Sequence, residues 1–376
     1  MKVLVLNYEF PPVGGGGGRA SADLSRALAR RGHEILVLTS SAPGLPDVEE
    51  RDGYQIRRVL TGRRSLFKAS FFSMGAYIVA GMLPGLRIVA GWKPDVLHAH
   101  FAVPTGILAN LLSRITRTPY LLTVHLGDVP GGVPEKTERW FRLIYRWTPR
   151  IWREAAAVVA VSEYTRELAL LHYPVPIRVI PNGVELPASQ DQGGAIGDPP
   201  VLIFVGRFQP QKNLQLLVRS LTEILDLNWR CVLVGDGPEA EDLDRIILSQ
   251  GLLGRVERTG WIDGEQAEAK LRSSDILVMP SRNEGLPVIG IQALAYGLAI
   301  VATRAGGLTE LVQDRVNGRS CDVGDGECLA ESLRWCLQDR TRLLELKRAS
   351  REMAEAYDLT LVAERYETVI SEVVAS

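Results

Sequence analysis

Cysteine is scarce and scattered. Cys231, Cys321, Cys328 and Cys336 are the only four in 376 residues, and none stands in a C-x-x-C or other metal-ligand spacing. That excludes a zinc module or a redox dithiol as the organising feature, and reduced, packed thiols point to a cytosolic protein. An excess of one charge is missing too, since 43 Lys+Arg against 44 Asp+Glu leave a net −1. No nucleic-acid recognition motif accompanies the basic stretches, so DNA and RNA are not expected partners. A clear bilayer span is missing as well: the one suspicious run, the 18 uncharged residues from Ala69 to Leu86, carries Gly75, Gly81, Pro84 and Gly85. It predicts a buried or membrane-facing helix rather than a bilayer span. The opening MKVLVLNYEF reads as a strand rather than a secretory signal.

What is present suffices for two cores. The length exceeds one ordinary domain, and 46% hydrophobic with 23% charged residues is a globular balance. The near-zero net charge conceals two unlike halves. Met1–Glu185 holds 23 Lys+Arg and 15 Asp+Glu, a surplus of +8; the remainder holds 20 and 29, a surplus of −9. Opposite halves imply different partners.

The first half alternates apolar strands with helical sequence. VLVLNY (Val3–Tyr8) enters a glycine loop, PPVGGGGGRA, then a helix expected from about Ser21 to Arg31, then EILVLTS. Strands YQIRRVL, KPDVLHAH, PYLLTVH, AAVVAVS and IRVIPNG follow, so a doubly wound parallel sheet is predicted. Ligands in such sheets gather at the carboxyl ends of strands. His98, His100, His125, Asp128, Ser162 and Glu163 stand there by sequence; His98 and His100 read as structural. Two stretches interleave arginine with aromatic and apolar residues: Arg57, Arg58, Arg63, Arg64 and Lys68 leading into LFKASFFSMGAYIV, and RWFRLIYRWTPRIWR from Arg139 to Arg153. An anionic membrane surface selects such patterns, and so does a helix that packs its aromatics and solvates its arginines.

PASQDQGGAIGDPP, Pro187 to Pro200, has almost no large apolar residue and reads as a linker. The second sheet begins at VLIFVGRFQPQKN, where Arg207 and Lys212 stand before a helix expected from Asn213. CVLVGDGPE and RVERTGWID add further strand ends. The centre of this half is SRNEGLPVIGIQALAYG, Ser281 to Gly297, between the strands DILVMP and LAIVAT. Pro287 suits a first helical turn, and the amides after it form a seat for phosphate. Glu284 precedes that seat, and Gln292 lies about one turn beyond Val288, ~6 Å along the axis. Carboxylate, anion seat and amide match in order the sugar hydroxyls, diphosphate and ribose of a nucleotide diphosphate sugar. Two helices, about Gly326–Ala356 and Thr360–Val374, are expected to close the chain.

This stretch resembles the E-x7-E element, S-x-x-E-G-F-G-L-x-x-L-E-A-M-A-x-G, of the retaining family 4 (group 1) glycosyltransferases of GT-B fold. Glu284, Gly285, Ala293, Ala295 and Gly297 match it, and Gln292 replaces the second glutamate. The resemblance implies that Glu284 contacts the donor sugar, that Gln292 takes the ribose place, and that Gly285, Leu286 and Val288 line the donor. G-R-x-x-x-x-K-N resembles the family's diphosphate signature and assigns Arg207 and Lys212 to it. Gly235 in CVLVGDGPE is likewise family-like, and Ile262 falls in the segment that contacts the nucleotide base. TVHLGD resembles T-x-H-G-x-D, whose histidine reaches the donor sugar, which is the role implied for His125. P-P-x-x-G-G aligns Gly15 and Gly16 with the glycine pair that approaches donor phosphate or acceptor. Asp128, Ser162 and Asn182 are the further expected sugar or acceptor contacts.

The expected fold is therefore α/β, a GT-B pair of Rossmann-like doubly wound domains facing across a cleft. Residues 1–186 would bind the acceptor, 187–200 would link, 201–356 would bind the nucleotide sugar, and a helix over 360–376 would pack back on the first domain. The expected function is retaining, metal-independent, hexosyltransferase-type transfer from a nucleotide diphosphate sugar. The acceptor would be a glycan or lipid-linked sugar of cell-envelope polysaccharide or glycolipid synthesis. No cofactor is expected, and the location would be cytoplasmic and peripheral on an inner membrane face. Two readings compete: a non-catalytic GT-B binding module, suggested by Gln292, and a nicotinamide dehydrogenase, suggested by the glycine loop. The dehydrogenase requires an acid at the end of the second strand, where Thr39-Ser40-Ser41 stand.

Overall fold

The computed structural model describes residues 1–66, 69–134, 141, 144–187 and 195–375. They form two compact units, Met1–Gly183 with Leu359–Ser376, and Val184–Asp358.

In the first unit, chain order runs β1 (Lys2–Asn7), α1 (Gly16–Arg30), β2 (Glu34–Ser40), β3 (Val48–Arg51), β4 (Tyr54–Val59), α2 (Phe71–Trp92), β5 (Val96–His100), α3 (Ile107–Thr116), β6 (Tyr120–Val124), α4 (Thr148–Arg153), β7 (Ala157–Ala160), α5 (Glu163–Leu170) and β8 (Arg178–Val179). The strands form one sheet ordered β3-β4-β2-β1-β5-β6-β7-β8, parallel except for the β3–β4 hairpin. Its inner strands β1, β2, β6 and β7 are largely apolar because both faces are covered, while the edge hairpin β3–β4 reads VEER and YQIRRV. Val3 and Val5 point into a core shared with α1 and with Val362, Tyr366 and Ile370 of the C-terminal helix Leu359–Ala375. Leu4 and Leu6 point into the opposite core with Tyr77, Leu108 and Leu112 of α2 and α3.

Helix α1 starts earlier than its sequence suggests, at Gly16 rather than Ser21. Glycine is a poor helix former, but here only glycine fits: a Cβ on Gly18 would lie 2.4 Å from the Glu9 carbonyl oxygen. Helix α2 is held against α3 by the same device, since a Cβ on Gly81 or Gly85 would meet Leu108 or Leu112 at 2.7–2.8 Å. Two of the expected surface arginines are buried. Arg58 bonds Glu49 and the Pro46 carbonyl, and Arg63 bonds the carbonyls of Ser65 and Leu66. Lys68, Arg139 and Arg142 lie outside the described residues. In the described end of the second basic stretch Ile151 is buried and Trp152 stacks on Tyr173 at 4.2 Å, while Trp147 is 72% exposed. Arg150 pairs with Glu154.

The second unit contains β9 (Val201–Val205), α6 (Leu214–Thr222), β10 (Arg230–Val234), α7 (Ala240–Ser249), β11 (Val256–Gly260), α8 (Gly264–Arg272), β12 (Ile276–Met279), α9 (Val288–Ala295), β13 (Ala299–Thr303), β14 (Gly318–Cys321), α10 (Gly326–Leu337) and α11 (Arg340–Ala354). Six parallel strands run β11-β10-β9-β12-β13-β14. The single closing helix expected over Gly326–Ala356 is two, because Asp339 caps a new helix by accepting the Arg342 amide. Cys231, Cys321 and Cys336 are free and buried, and burial raises each thiol to about 12.

Candidate active site

Within the second unit the carboxyl ends of β9 and β12 lie side by side, and the loops leaving them carry Lys212 and Glu284. Lys212 closes a 3-10 turn, Pro210–Lys212, that follows β9. Its ammonium donates to Glu284 Oε1 at 2.5 Å, and Ser281 Oγ donates to the same oxygen at 2.7 Å. Glu284 is buried and the Lys212 side chain nearly so. The two loops are sewn together by Gln211, whose side chain donates to the Asn283 carbonyl and whose own carbonyl accepts the Arg282 amide, both at 2.8 Å. Arg207 lies half-buried two residues past β9.

Pro287 stands one residue earlier than expected, as the extended N-cap of α9 (φ −70°, ψ 126°), and no side chain caps the helix. Leu286 and Val288 are buried. Gln292 is half-buried, and its side-chain amide has no hydrogen-bond partner among the described residues. Gly235 has φ +130° and backs onto the other loop so closely that a Cβ would sit 2.0 Å from the Gly206 carbonyl oxygen. Its amide bonds the Gly260 carbonyl at 3.1 Å, which ties the β10 end to the segment carrying Ile262.

Gly307 is not among the site residues expected from sequence. The Gly307 amide donates to the Glu284 carbonyl at 2.9 Å, and a Cβ there would fall 1.6 Å from the Gly285 carbonyl oxygen. The doubled glycine after β13 was the available signal.

In the first unit His125 is gathered at the ends of β5 and β6 with two histidines that sequence left as structural. Ring centroids lie 4.3 Å apart for His98 and His100, 6.2 Å for His100 and His125, and 4.4 Å for His125 and Phe101, which are stacked. Phe101, also unforeseen, holds φ +72°, a strained conformation for a bulky residue. Helix α1 presses its second glycine onto this stack. A Cβ on Gly17 would lie 2.6 Å from Phe101 and 3.3 Å from His125. Gly15 is the N-cap of α1, and Gly16 its first residue.

Burial sets the protonation of this column. It lowers His125 to about 4 and, with the His125 charge, His98 to about 3; His100 lies well below its ordinary value for the same reasons. A neutral His125 imidazole can accept or donate one hydrogen bond. Its Nε2 is buried with no partner among the described residues. His98 Nε2 bonds Thr123 Oγ1 at 2.8 Å, and that hydroxyl meets Tyr366 of the C-terminal helix at 3.2 Å. Among the described residues no three His, Cys, Asp or Glu side chains are placed to hold a metal ion.

Other expected contacts serve the backbone. Asp128 accepts the amides of Ala102 at 2.7 Å and His125 at 2.9 Å, and burial pushes its carboxyl up to about 7. Ser162 caps α5 by accepting the Thr165 amide at 3.0 Å. Asn182 is buried near the end of the unit's continuous segment. The second strand ends without an acid, and Ser40 Oγ bonds the Tyr8 carbonyl at 2.7 Å. A cavity of about 770 Å³ lies away from these groups, at the amino ends of β2 and β4, bordered by Glu34, Tyr54, Arg57, Arg87 and Trp92.

The sequence matches the glycosyltransferase family 4 model over residues 14–187 and the glycosyl transferases group 1 model over residues 187–353. An uncharacterized glycosyltransferase of Methanocaldococcus jannaschii is 27% identical over 338 residues, 85% of this chain and 84% of that protein. Sucrose-phosphate synthase from Thermosynechococcus elongatus superposes with a TM-score of 0.83 at 22% identity, covering 100% of this chain and 99% of that one. HepE of Anabaena in complex with UDP-glucose gives 0.77 at 18% identity, covering 99% and 100%. The two family models abut at residue 187 and together span residues 14–353, and the chain belongs to the group 1, family 4 glycosyltransferases of GT-B fold.

Proposed function

We propose that the second unit binds a nucleotide diphosphate sugar and that its sugar is transferred with retained anomeric configuration. The observation that carries this reading is the Lys212–Glu284–Ser281 cluster between the β9 loop and the start of α9. A buried cation and carboxylate within bonding distance of each other are costly unless paired, and a donor offers each a new partner. Lys212 and Arg207 receive the departing diphosphate through charge-assisted bonds, so no resident metal is required. Glu284 orients the sugar through its hydroxyls. Gln292 takes the ribose, and Gly235, Ile262, Gly285, Leu286 and Val288 line the donor. From the first unit, His125 contacts the sugar as a neutral imidazole. The UDP-glucose held by the Anabaena protein on the same fold supports a nucleotide donor. The acceptor is a glycan or lipid-linked sugar of the cell envelope, met in the cytoplasm at the inner face of a membrane.

Purified protein incubated with a panel of nucleotide sugars should hydrolyse one of them slowly without acceptor. NMR should show the released sugar with its donor anomeric configuration, and chelator should leave the rate unchanged. Inversion, or chelator sensitivity, would overturn the mechanism. Nucleotide sugar that binds and is never turned over would point to the binding module instead.

A further inference from the structure

Helix α2 is 22 residues long, about 33 Å, and its mean hydropathy of 1.4 is high enough for a bilayer span, yet only a third of that window is buried. It cannot be reserved for spanning, because one face is already used. Tyr77, Ile88 and Val89 enter the core, and Gly81 and Gly85 seat the helix on Leu108 and Leu112 of α3. The opposite face runs Phe72, Ala76, Val79, Leu83 and Ala90 along one stripe at helical spacing. Phe72 and Val79 are each 77% exposed and Leu83 is 55% exposed, and α3 adds the exposed Leu111 and Ile115. A continuous exposed apolar stripe of this length marks a docking surface.

Charge selects what docks there. From Leu60 to Gly127 the chain has seven Lys+Arg and a single acid, Asp95, which accepts the Lys2 amide at 2.7 Å. Arg64 precedes α2, Arg87 borders its stripe, Lys93 caps its end and Arg117 caps α3. All four are exposed and have no carboxylate partner among the described residues. An apolar stripe bracketed by free cations at both ends complements a sheet of anionic headgroups over acyl chains. Long basic side chains reach the headgroup level while the stripe sinks below it. A second copy fits poorly, since it would bring like charges face to face.

We infer that the outer face of α2, with the adjoining edge of α3, lies flat on an anionic lipid bilayer. The inference rests on the peripheral, lipid-linked reading proposed above and gives it a specific surface. It is separate from the Arg139–Arg153 stretch, part of which lies outside the described residues and whose Trp147 is itself exposed.

The test is flotation of the full chain with phosphatidylcholine vesicles carrying phosphatidylglycerol, at low and high salt. The native protein should float with anionic vesicles at low salt and not with pure phosphatidylcholine. Arg87→Gln should weaken partitioning about fivefold, the worth of one cation near such a surface. The double variant Val79→Asp, Leu83→Asp should lose flotation while keeping its unfolding temperature and its donor hydrolysis. No flotation of the native protein at low salt, or equal flotation of the double variant, would overturn the docking surface. So would a native dimer in light scattering that the double variant converts to monomer, since a second copy would then cover the stripe. Flotation and hydrolysis are separate readouts: a protein that floats but turns over no nucleotide sugar keeps this surface and refutes the enzymatic reading.

Discussion

Lys212 Nζ lies 2.5 Å from Glu284 Oε1, so the cation and carboxylate that sequence assigned to different parts of the donor hold each other. Ser281 completes the cluster at 2.7 Å. Donor binding has to give Lys212 a phosphate in place of Glu284, and Glu284 a sugar hydroxyl in place of Lys212.

Replacing Glu284 by Gln keeps the shape and removes the charge that competes for Lys212. We expect kcat to fall about a hundredfold or more, because the sugar loses its orienting acceptor. Affinity for the nucleoside diphosphate should hold or rise. Calorimetry beside steady-state rates checks the split, and a normal kcat would remove Glu284 from the reacting centre.

Lys212→Ala and Arg207→Ala should each weaken nucleoside diphosphate binding by about 1.5–3 kcal/mol and leave the free nucleoside nearly untouched. Equal losses for both ligands would argue against phosphate contacts. Lys212→Ala should also destabilise the fold, since it strands the buried Glu284 carboxylate.

Gln292 carries, one turn into α9, a half-buried amide with no partner among the described residues. A neutral hydrogen bond gives ~0.5–1.5 kcal/mol where a charged one gives ~1.5–3. Gln292→Glu should therefore tighten donor binding several-fold or leave it unchanged. Gln292→Ala should raise donor KM with kcat nearly kept, because the ribose does not react. A collapsed kcat in Gln292→Ala would contradict the ribose assignment.

Gly307→Ala places a methyl 1.6 Å from the Gly285 carbonyl oxygen. The loop carrying Glu284 must move, at a cost of about 1–3 kcal/mol. Thermal unfolding and kcat should fall together; a variant with native values in both would show that the loop yields freely.

Acid should destabilise the first unit through its histidine column. His98 and His125 titrate at about 3 and 4 in the fold, and His100 well below its ordinary 6.5. As pH drops below 6.5 the unfolded chain takes up their protons and the fold does not, so stability is lost on acidification. Asp128 opposes this, because its carboxyl at about 7 keeps a proton that the unfolded chain releases, giving stability that is lost as pH rises through 7. Near pH 5.5 these four groups together predict a net uptake of about two protons on unfolding. Calorimetry in buffers of different ionisation enthalpy measures that number, and zero uptake would mean the histidines are hydrated.

Periodicity and punctuation settled much in advance. Continuous apolar strands alternating with helical sequence carried the parallel sheets, and the spacings of Glu284, Gln292, Arg207 and Lys212 are local properties of single strand–loop–helix units. Tertiary structure decided what no local pattern encodes. The short hairpin strand Val48–Arg51 and the strand Gly318–Cys321 gain their identity only by pairing with a neighbour. Gly16–Gly18 read as a loop by propensity, but the fold makes them the first turn of α1, where Gly17 and Gly18 lie so close to Phe101 and Glu9 that no Cβ fits. Arg58 and Arg63 look like surface charge until their carbonyl partners are seen. The contact between Lys212 and Glu284 spans 72 residues of chain. It exists because β9 and β12 are neighbours in a sheet whose strand order is not sequence order. Sequence named both residues and chemistry gave each a role; only the sheet, by bringing distant strand ends together, made them one site.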